Sequence, residues 1–302
     1  MGLSLDSSEL RRFVALTDRK VSPKEVAKLY ARAEMLAKLP LTLQRWIVKR
    51  AGGDPEMGFV VEPYCLFLAY EIDDLAAARA LLPADYELVP TSMFADGQPR
   101  YSAILGAFNL HASVFWGSRI ELYLIAENTR TGMLTWIIYD YESNTISYDP
   151  GQGFSGSTTS HSVVTTTFAG DVVVDVASAE RPNHIAYTMD LDAASMRPLE
   201  QRLWIEGNLS VDYGGRVMEE ESEPFGLVVE PGEMAQALEI PLEAVTIDRN
   251  TMGADYLAAA PFEAAVFPYA QHFMTTSFPR ATAITDAAGL ERAVAEMTAA
   301  TE

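Results

Sequence analysis

The sequence predicts a mainly β protein, a β-rich α+β chain whose body is a closed or partly open antiparallel β-barrel behind a helical N-terminal extension. Three observations carry that expectation. From about residue 58 the chain is dominated by runs of β-branched and aromatic residues separated by turn signals. No β-α-β alternation surrounds those runs, so the sheet is expected to be antiparallel and to fold over on itself, which removes exposed edges. Charge breaks sharply near residue 50. Residues 1–50 hold 11 of the 22 basic residues and five acids, a balance of +6, and the remainder holds 11 basic and 37 acidic residues, a balance of −26. All five lysines (Lys20, Lys24, Lys28, Lys38 and Lys49) lie in the first segment. A helical extension over 1–56 and a body over 57–302 follow from that break.

Taken in order, "SPKEVAKLYARAEMLAKLP" reads as a capped helix. Ser22 and Glu25 form a capping box, Pro23 fits the first turn and Pro40 ends the helix. Val26, Leu29, Tyr30, Ala33 and Leu36 repeat at helical spacing. "SELRRFVALTD" before it and "TLQRWIVKRAGG" after it read as shorter helices. The lysines surround the apolar stripe as a solvated face against an acidic body, or as an arm reaching an acidic neighbour in a homo-oligomer. "FVVEPYCLFLAYEI" is a strand pair or one long bent strand, and "DLAAARALLP" a short helix stopped by Pro83. Strands are then expected in "YELVP", "PRYSAILGAFNLHASVFWGSRIELYLIAEN", "MLTWIIYDYESNTISY", "HSVVTTTF", "GDVVVDVAS", "NHIAYTMDL", "QRLWIEGNLSVDYG", "FGLVVEPG" and "AAVFPYAQHFMTT". "DAAGLERAVAEMTAA" closes the chain as a helix.

Composition excludes several classes. The formal charge of −20 opposes nucleic-acid binding, which needs basic surface to displace counterions. No run of about 18 apolar residues is available to span a membrane, and the start "MGLSLDSSELRR" lacks the apolar stretch of a secretory signal, so a cytoplasmic protein is expected. Cys65 is the sole cysteine and sits in the apolar run "YCLFLAY", as a buried structural thiol would. His111, His161, His184 and His272 are far apart and follow no metal-ligand spacing; no metal and no cofactor are expected, although two histidines with Asp140 or Asp149 could converge in a barrel. Gly151, Gly153 and Gly156 reproduce the G-x-G-x-x-G spacing of a dinucleotide loop. Such a loop must join a strand directly to a helix. Here it lies between "NTISYDP" and the strand-like "STTSHSVVTTTF", and reads as a β-β connection.

One hairpin can be aligned. "LYLIAENTRTGMLTWIIYDY" pairs two strands about a three-residue loop, Arg130-Thr131-Gly132, with glycine in the left-handed position. That register places Thr129 opposite Met133, Tyr123 opposite Tyr139 and Glu121 opposite Tyr141. Arg119, Glu121, Tyr123, Tyr139 and Tyr141 would share one face, with Ile120, Leu122 and Leu124 on the other. A slip of one residue would set Glu121 against Asp140 and Arg119 against Glu142.

The segment "CLFLAYEIDDLAAARALLPADYELVP" resembles the opening of the acetoacetate decarboxylase superfamily, and "RIELYLIAEN" is similar to that family's pocket strand, with Glu121 at the matching glutamate. The resemblance spans roughly residues 58–285 and is densest over 63–127. It implies a β-rich barrel, an internal pocket for a small keto acid or related carbonyl compound, and carbon–carbon lyase chemistry. The family's decarboxylases use a lysine that forms a Schiff base, and the matching stretch here, "ESNTISYDP", has none. That absence points to acid/base chemistry on a carboxylate: enolisation, dehydration or an aldol-type step. Glu121 would shuttle the proton, Arg119 would clamp a substrate carboxylate, and Tyr123, Tyr139, Tyr141 and Tyr148 would bind a carbonyl. The structural alternatives are a solvent-facing Glu121 paired with Arg119 and tyrosines that are simply core. A non-catalytic small-molecule-binding barrel is the rival function, and an assembly protein with a filled interior the third.

Overall fold

The computed structural model describes residues 23–51, 58–112, 115–149, 153–214 and 224–276, with 288, 289 and 292. The helix expected before residue 22 and most of the helix expected over the last residues lie outside the described residues.

Helix α1 (Pro23–Ala37) and helix α2 (Leu41–Ala51) occupy segments that read as helical, parted at Pro40; Ser22, the expected cap of α1, lies outside the described residues. Strands β1 (Gly58–Val61) and β2 (Cys65–Ile72) are the halves of one bent run; Tyr64, at a φ of 68°, turns the chain between them. Asp74 caps α3 (Leu75–Arg79) by accepting the Ala76 and Ala77 N–H groups at 3.0 Å. Then come β3 (Tyr86–Leu88), β4 (Ser102–Ala112), β5 (Phe115–Asn128) and β6 (Leu134–Ser143). A small hairpin of β7 (Ser147–Asp149) and β8 (Gly153–Ser155) carries the glycine loop, so that loop is a β-β connection and no dinucleotide cradle. Strands β9 (Thr159–Thr166), β10 (Asp171–Ser178) and β11 (His184–Asp190) follow, then β12 (Ser195–Pro198).

Residues 202–209 form helical turns, not the strand expected of "QRLWIEGNLSVDYG". Their apolar run Leu203-Trp204-Ile205 is buried throughout, and so short a continuous run has no period to tell a helix from a strand. The chain ends its described course in β13 (Val211–Tyr213), β14 (Gly226–Val229), β15 (Gln236–Glu239), β16 (Val245–Asn250), β17 (Leu257–Phe267) and β18 (Gln271–Thr276).

The architecture is mainly β, and among the described residues every strand pair is antiparallel except the parallel β6–β13 pair. In the large sheet, β4 pairs with β5 along one edge and with both β2 and β1 along the other. Beyond these, β18 pairs with β1 and β14, and β17 with β2 and β15, whose far side takes β12. Among the described residues these ladders do not close an uninterrupted barrel. The course from β14 through β18, β1, β4, β5 and β6 to β13 is joined across its ends only at the Val211–Phe225 bridge. A second sheet, ordered β16-β11-β10-β9, has Val172, Val174, Val176, Ile185, Tyr187 and Met189 buried in one core with Leu105, Leu122 and Leu124 of the large sheet.

Two cores result from strand alternation, because odd and even residues of β5 enter different ones. Ile120, Leu122, Leu124 and Ala126 pack toward the second sheet. Tyr123 and Ile125 face the folded-over interior, which is filled by aromatic rings. There Trp204 lies 5.0 Å from both Phe67 and Phe267, and Trp136 lies 4.8 Å from Tyr123, edge to face. The indole N–H groups are satisfied inside this core, Trp204 donating to the Met93 carbonyl at 2.8 Å and Trp136 to the Leu203 carbonyl at 2.9 Å.

Candidate functional site

Arg119, Glu121 and Tyr123 lie at alternate positions of β5, and all three are buried. Arg119 donates through Nε to Glu121 Oε1, and the Tyr123 hydroxyl donates to Glu121 Oε2. On the neighbouring strand Tyr141 sits directly opposite Glu121, and the Arg119 guanidinium lies 4.3 Å from the centre of its ring. Gly106 lies opposite Glu121 on the other side, and its missing side chain lets Phe67 and Tyr123 close in. A Cβ there would meet the Phe67 ring at 2.9 Å and the Tyr123 ring at 3.3 Å. Burial and the adjacent Glu121 carboxylate push the Tyr123 phenol well above its ordinary range, so it stays a donor.

The hairpin closes one residue earlier than expected. The Asn128 N–H donates to the Met133 carbonyl at 2.9 Å, leaving a four-residue loop, Thr129–Gly132, with Gly132 at a φ of 73°. Asn128 Oδ1 accepts the Arg130 and Thr131 N–H groups, the local bonding that makes asparagine a turn former. Near the loop the strands therefore follow the slipped register, with Glu127 opposite Leu134. A bulge then intervenes. Tyr123 pairs with Ile138, Leu122 with Asp140 and Glu121 with Tyr141, the last as the unslipped register required. The bulge carries Tyr139 out of the site: it faces the core between the sheets, 5.9 Å from Tyr256. Tyr139 is thus removed from the candidate set, while Arg119, Glu121, Tyr123 and Tyr141 stand together. Tyr148 lies on β7 opposite Phe154, and its side chain is outside the described residues.

The β7–β8 hairpin lies beside Tyr141, whose hydroxyl is 3.3 Å from Ser155 Oγ. It is also held by Gln44 of α2, a buried amide that accepts the Phe154 N–H at 2.8 Å and donates to the Leu39 carbonyl at 3.1 Å. That long-range bond had no signal in the sequence, where Gln44 was one more polar residue of a short helix. Lys28 and Lys38 are exposed.

A second polar cluster lies on the outer face of the large sheet. Arg181 Nη1 donates to Asp140 at 2.6 Å and its Nη2 to Glu142 at 2.7 Å, and Asn183 donates to the same two carboxylates at 3.1 and 2.9 Å. Burial raises the Asp140 carboxyl above its ordinary value, with Arg181 opposing the shift. Asp140 is thereby committed to tying the sheets together. His161 and His184 both face Asp175, at 3.2 and 2.9 Å, and His272 pairs with Glu233 at 2.7 Å. Among the described residues no group of three or more His, Cys, Asp or Glu side chains is arranged to hold a metal ion. The Cys65 thiol is buried against Gln271 Oε1 at 3.0 Å, and burial raises its pKa far above the ordinary range. No described helix is long and apolar enough to cross a membrane.

No protein-family model matches the chain, and no curated protein matches it. Among solved structures it is similar to the acetoacetate decarboxylase of Legionella pneumophila subsp. pneumophila str. Philadelphia 1, at 11% identity over 74% of this chain and 86% of that one, with a TM-score of 0.44. It is also similar to a further acetoacetate decarboxylase structure, at 8% identity over 75% and 88% of the two chains, with a TM-score of 0.43.

Proposed function

We propose that the chain binds a small keto acid or related carbonyl compound at the Arg119–Glu121–Tyr123–Tyr141 cluster and transfers a proton there through Glu121. One observation carries this reading. Arg119 and Glu121, each only 6% exposed, are placed on a strand face that otherwise continues into an aromatic core. A buried ion pair is weak evidence for stability, since its desolvation offsets its attraction, whereas buried titratable groups are a recurring feature of functional sites.

The chemistry follows from the donors. A ligand carboxylate takes the place of Glu121 on the Arg119 guanidinium, a bidentate partner for such a group. The released Glu121 carboxylate removes a proton from the carbon beside the ketone, and the electron pair passes to the carbonyl oxygen. Tyr123, held as a donor, hydrogen-bonds the resulting enolate oxygen. Return of the proton from Glu121 completes an enolisation, and loss of a β-substituent at the enolate stage would complete an elimination. With no lysine after residue 50, the body supplies no lysine amine for imine formation.

The test is methyl deuterium exchange of pyruvate and of 4-oxopentanoate in D₂O, followed by proton NMR with and without protein. Exchange lost in Glu121→Gln and weakened at low ligand concentration in Arg119→Met is expected. Incubation of acetoacetate with borohydride should leave the intact mass unchanged. Saturable binding without exchange, unaffected by Glu121→Gln, would instead establish a non-catalytic binding protein. A borohydride-trapped adduct on any lysine would overturn the carboxylate mechanism.

A further inference from the structure

The α1–α2 hairpin turns three large apolar side chains, Met35, Leu43 and Trp46, toward solvent. Its inward face is marked by Ala33 and Gln44, each 5% exposed. At 100° per residue, the position two further on points nearly the opposite way. Those positions are Met35, 61% exposed, and Trp46, 56% exposed. Leu43, three residues before Trp46, shares its face and is also exposed, and the Arg50 guanidinium lies 5.4 Å over the Trp46 ring from one turn further on. An ordinary surface helix turns such residues inward and its polar residues outward.

We propose that this outer face docks on the acidic body of a second copy of the chain, with Trp46 as its anchor. Charge selects that occupant. Residues 23–51 carry seven basic residues and two acids, while residues 51–302 carry 11 basic and 37 acidic residues. The inner face of the hairpin already lies on its own body through Gln44 and Phe154, and a second copy presents the same acidic chemistry to the outer face. An exposed tryptophan with an arginine over its ring has the composition of an interface hot spot. Opposite net charges speed the encounter and lose that effect as salt screens them. Helices of fifteen and eleven residues offer one face of modest area, so the association is of moderate strength and salt-dependent. This assignment is independent of the chemistry proposed for Glu121.

The experiment is analytical ultracentrifugation of the full chain over a range of concentrations, at low salt (about 0.05 M) and high salt (about 0.5 M), where the screening length falls severalfold. Self-association at low salt that weakens at high salt is expected. Trp46→Glu and, separately, Leu43→Glu should each weaken it about tenfold or more, with unchanged circular dichroism because both side chains are exposed. Trp46→Phe should keep most of it. A chain that stays monomeric at low salt throughout would overturn the proposal. So would association that survives both glutamate variants undiminished.

Discussion

Replacing Arg119 by methionine asks whether the buried ion pair exists for stability or for chemistry. Methionine fills much of the arginine volume, so the perturbation is mainly electrical. Because Arg119 and Glu121 are both 6% exposed, the single variant leaves a carboxylate in the interior stripped of its arginine partner, with the Tyr123 hydroxyl still donating to it. Removing one member of such a pair costs about 3–5 kcal/mol, a fall of roughly 10 °C in Tm for a domain of this size. The double variant Arg119→Met, Glu121→Gln has no charge to bury, and the glutamine oxygen still accepts the Tyr123 hydroxyl. It should recover to within about 1 kcal/mol of the parent or exceed it. The assay is urea unfolding followed by fluorescence of Trp136 and Trp204, with the coupling read from the complete double-mutant cycle. Recovery in the double variant together with loss of keto-acid binding means the pair is kept for its chemistry. A double variant as unstable as the worse single one would refute that reasoning and make the pair a structural element.

Two further outcomes follow from contacts around the interior. Gly106→Ala places a Cβ 2.9 Å from the Phe67 ring and 3.3 Å from Tyr123, so it should cost about 1–3 kcal/mol through overpacking and weaken ligand binding by displacing Tyr123 from Glu121; thermal melts and ligand titration check both. Glu263 accepts the Met93 N–H and the Ser92 hydroxyl, each at 2.7 Å, and burial raises its carboxyl above the ordinary value. A carboxyl raised on folding contributes its stabilisation below the unfolded value of about 4.3 and loses it as pH rises through the folded one. Glu263→Gln leaves one donor unmatched, at a cost of about 1–3 kcal/mol near pH 4, and that deficit should shrink between pH 4 and 7. Urea midpoints across the range would contradict this if the deficit grew.

The β5–β6 hairpin shows how much of the site could be read in the chain. Alternation along "RIELYLIAEN" sufficed to put Arg119, Glu121 and Tyr123 on one face and Ile120, Leu122 and Leu124 on the other, because the period of a strand is fixed by covalent geometry. Opposing strands were harder. Two registers one residue apart are both present in the molecule, one at the loop and one beyond the bulge at Tyr139. The bulge depends on where Ile138 and Tyr139 find space in two different cores, which no local rule records. The same limit explains Asp140. In the sequence it is a carboxylate beside the tyrosines and a conceivable metal ligand; in the fold it answers to Arg181 and Asn183, some forty residues away.

What the sequence determined by itself is whatever period, cap or proline enforces within a few residues. This includes α1 and α2 parted at Pro40, the bent run of β1 and β2, the β character of the glycine loop, and the absence of lysine from the body. Tertiary structure alone decided which residues meet across long separations: the aromatic filling around Trp204, the grip of Gln44 on Phe154, the turn of Tyr139 away from the site, and the exposure of Trp46. The division has a physical cause. Backbone preferences act between neighbours in the chain, whereas burial is shared among side chains that only the completed packing brings together.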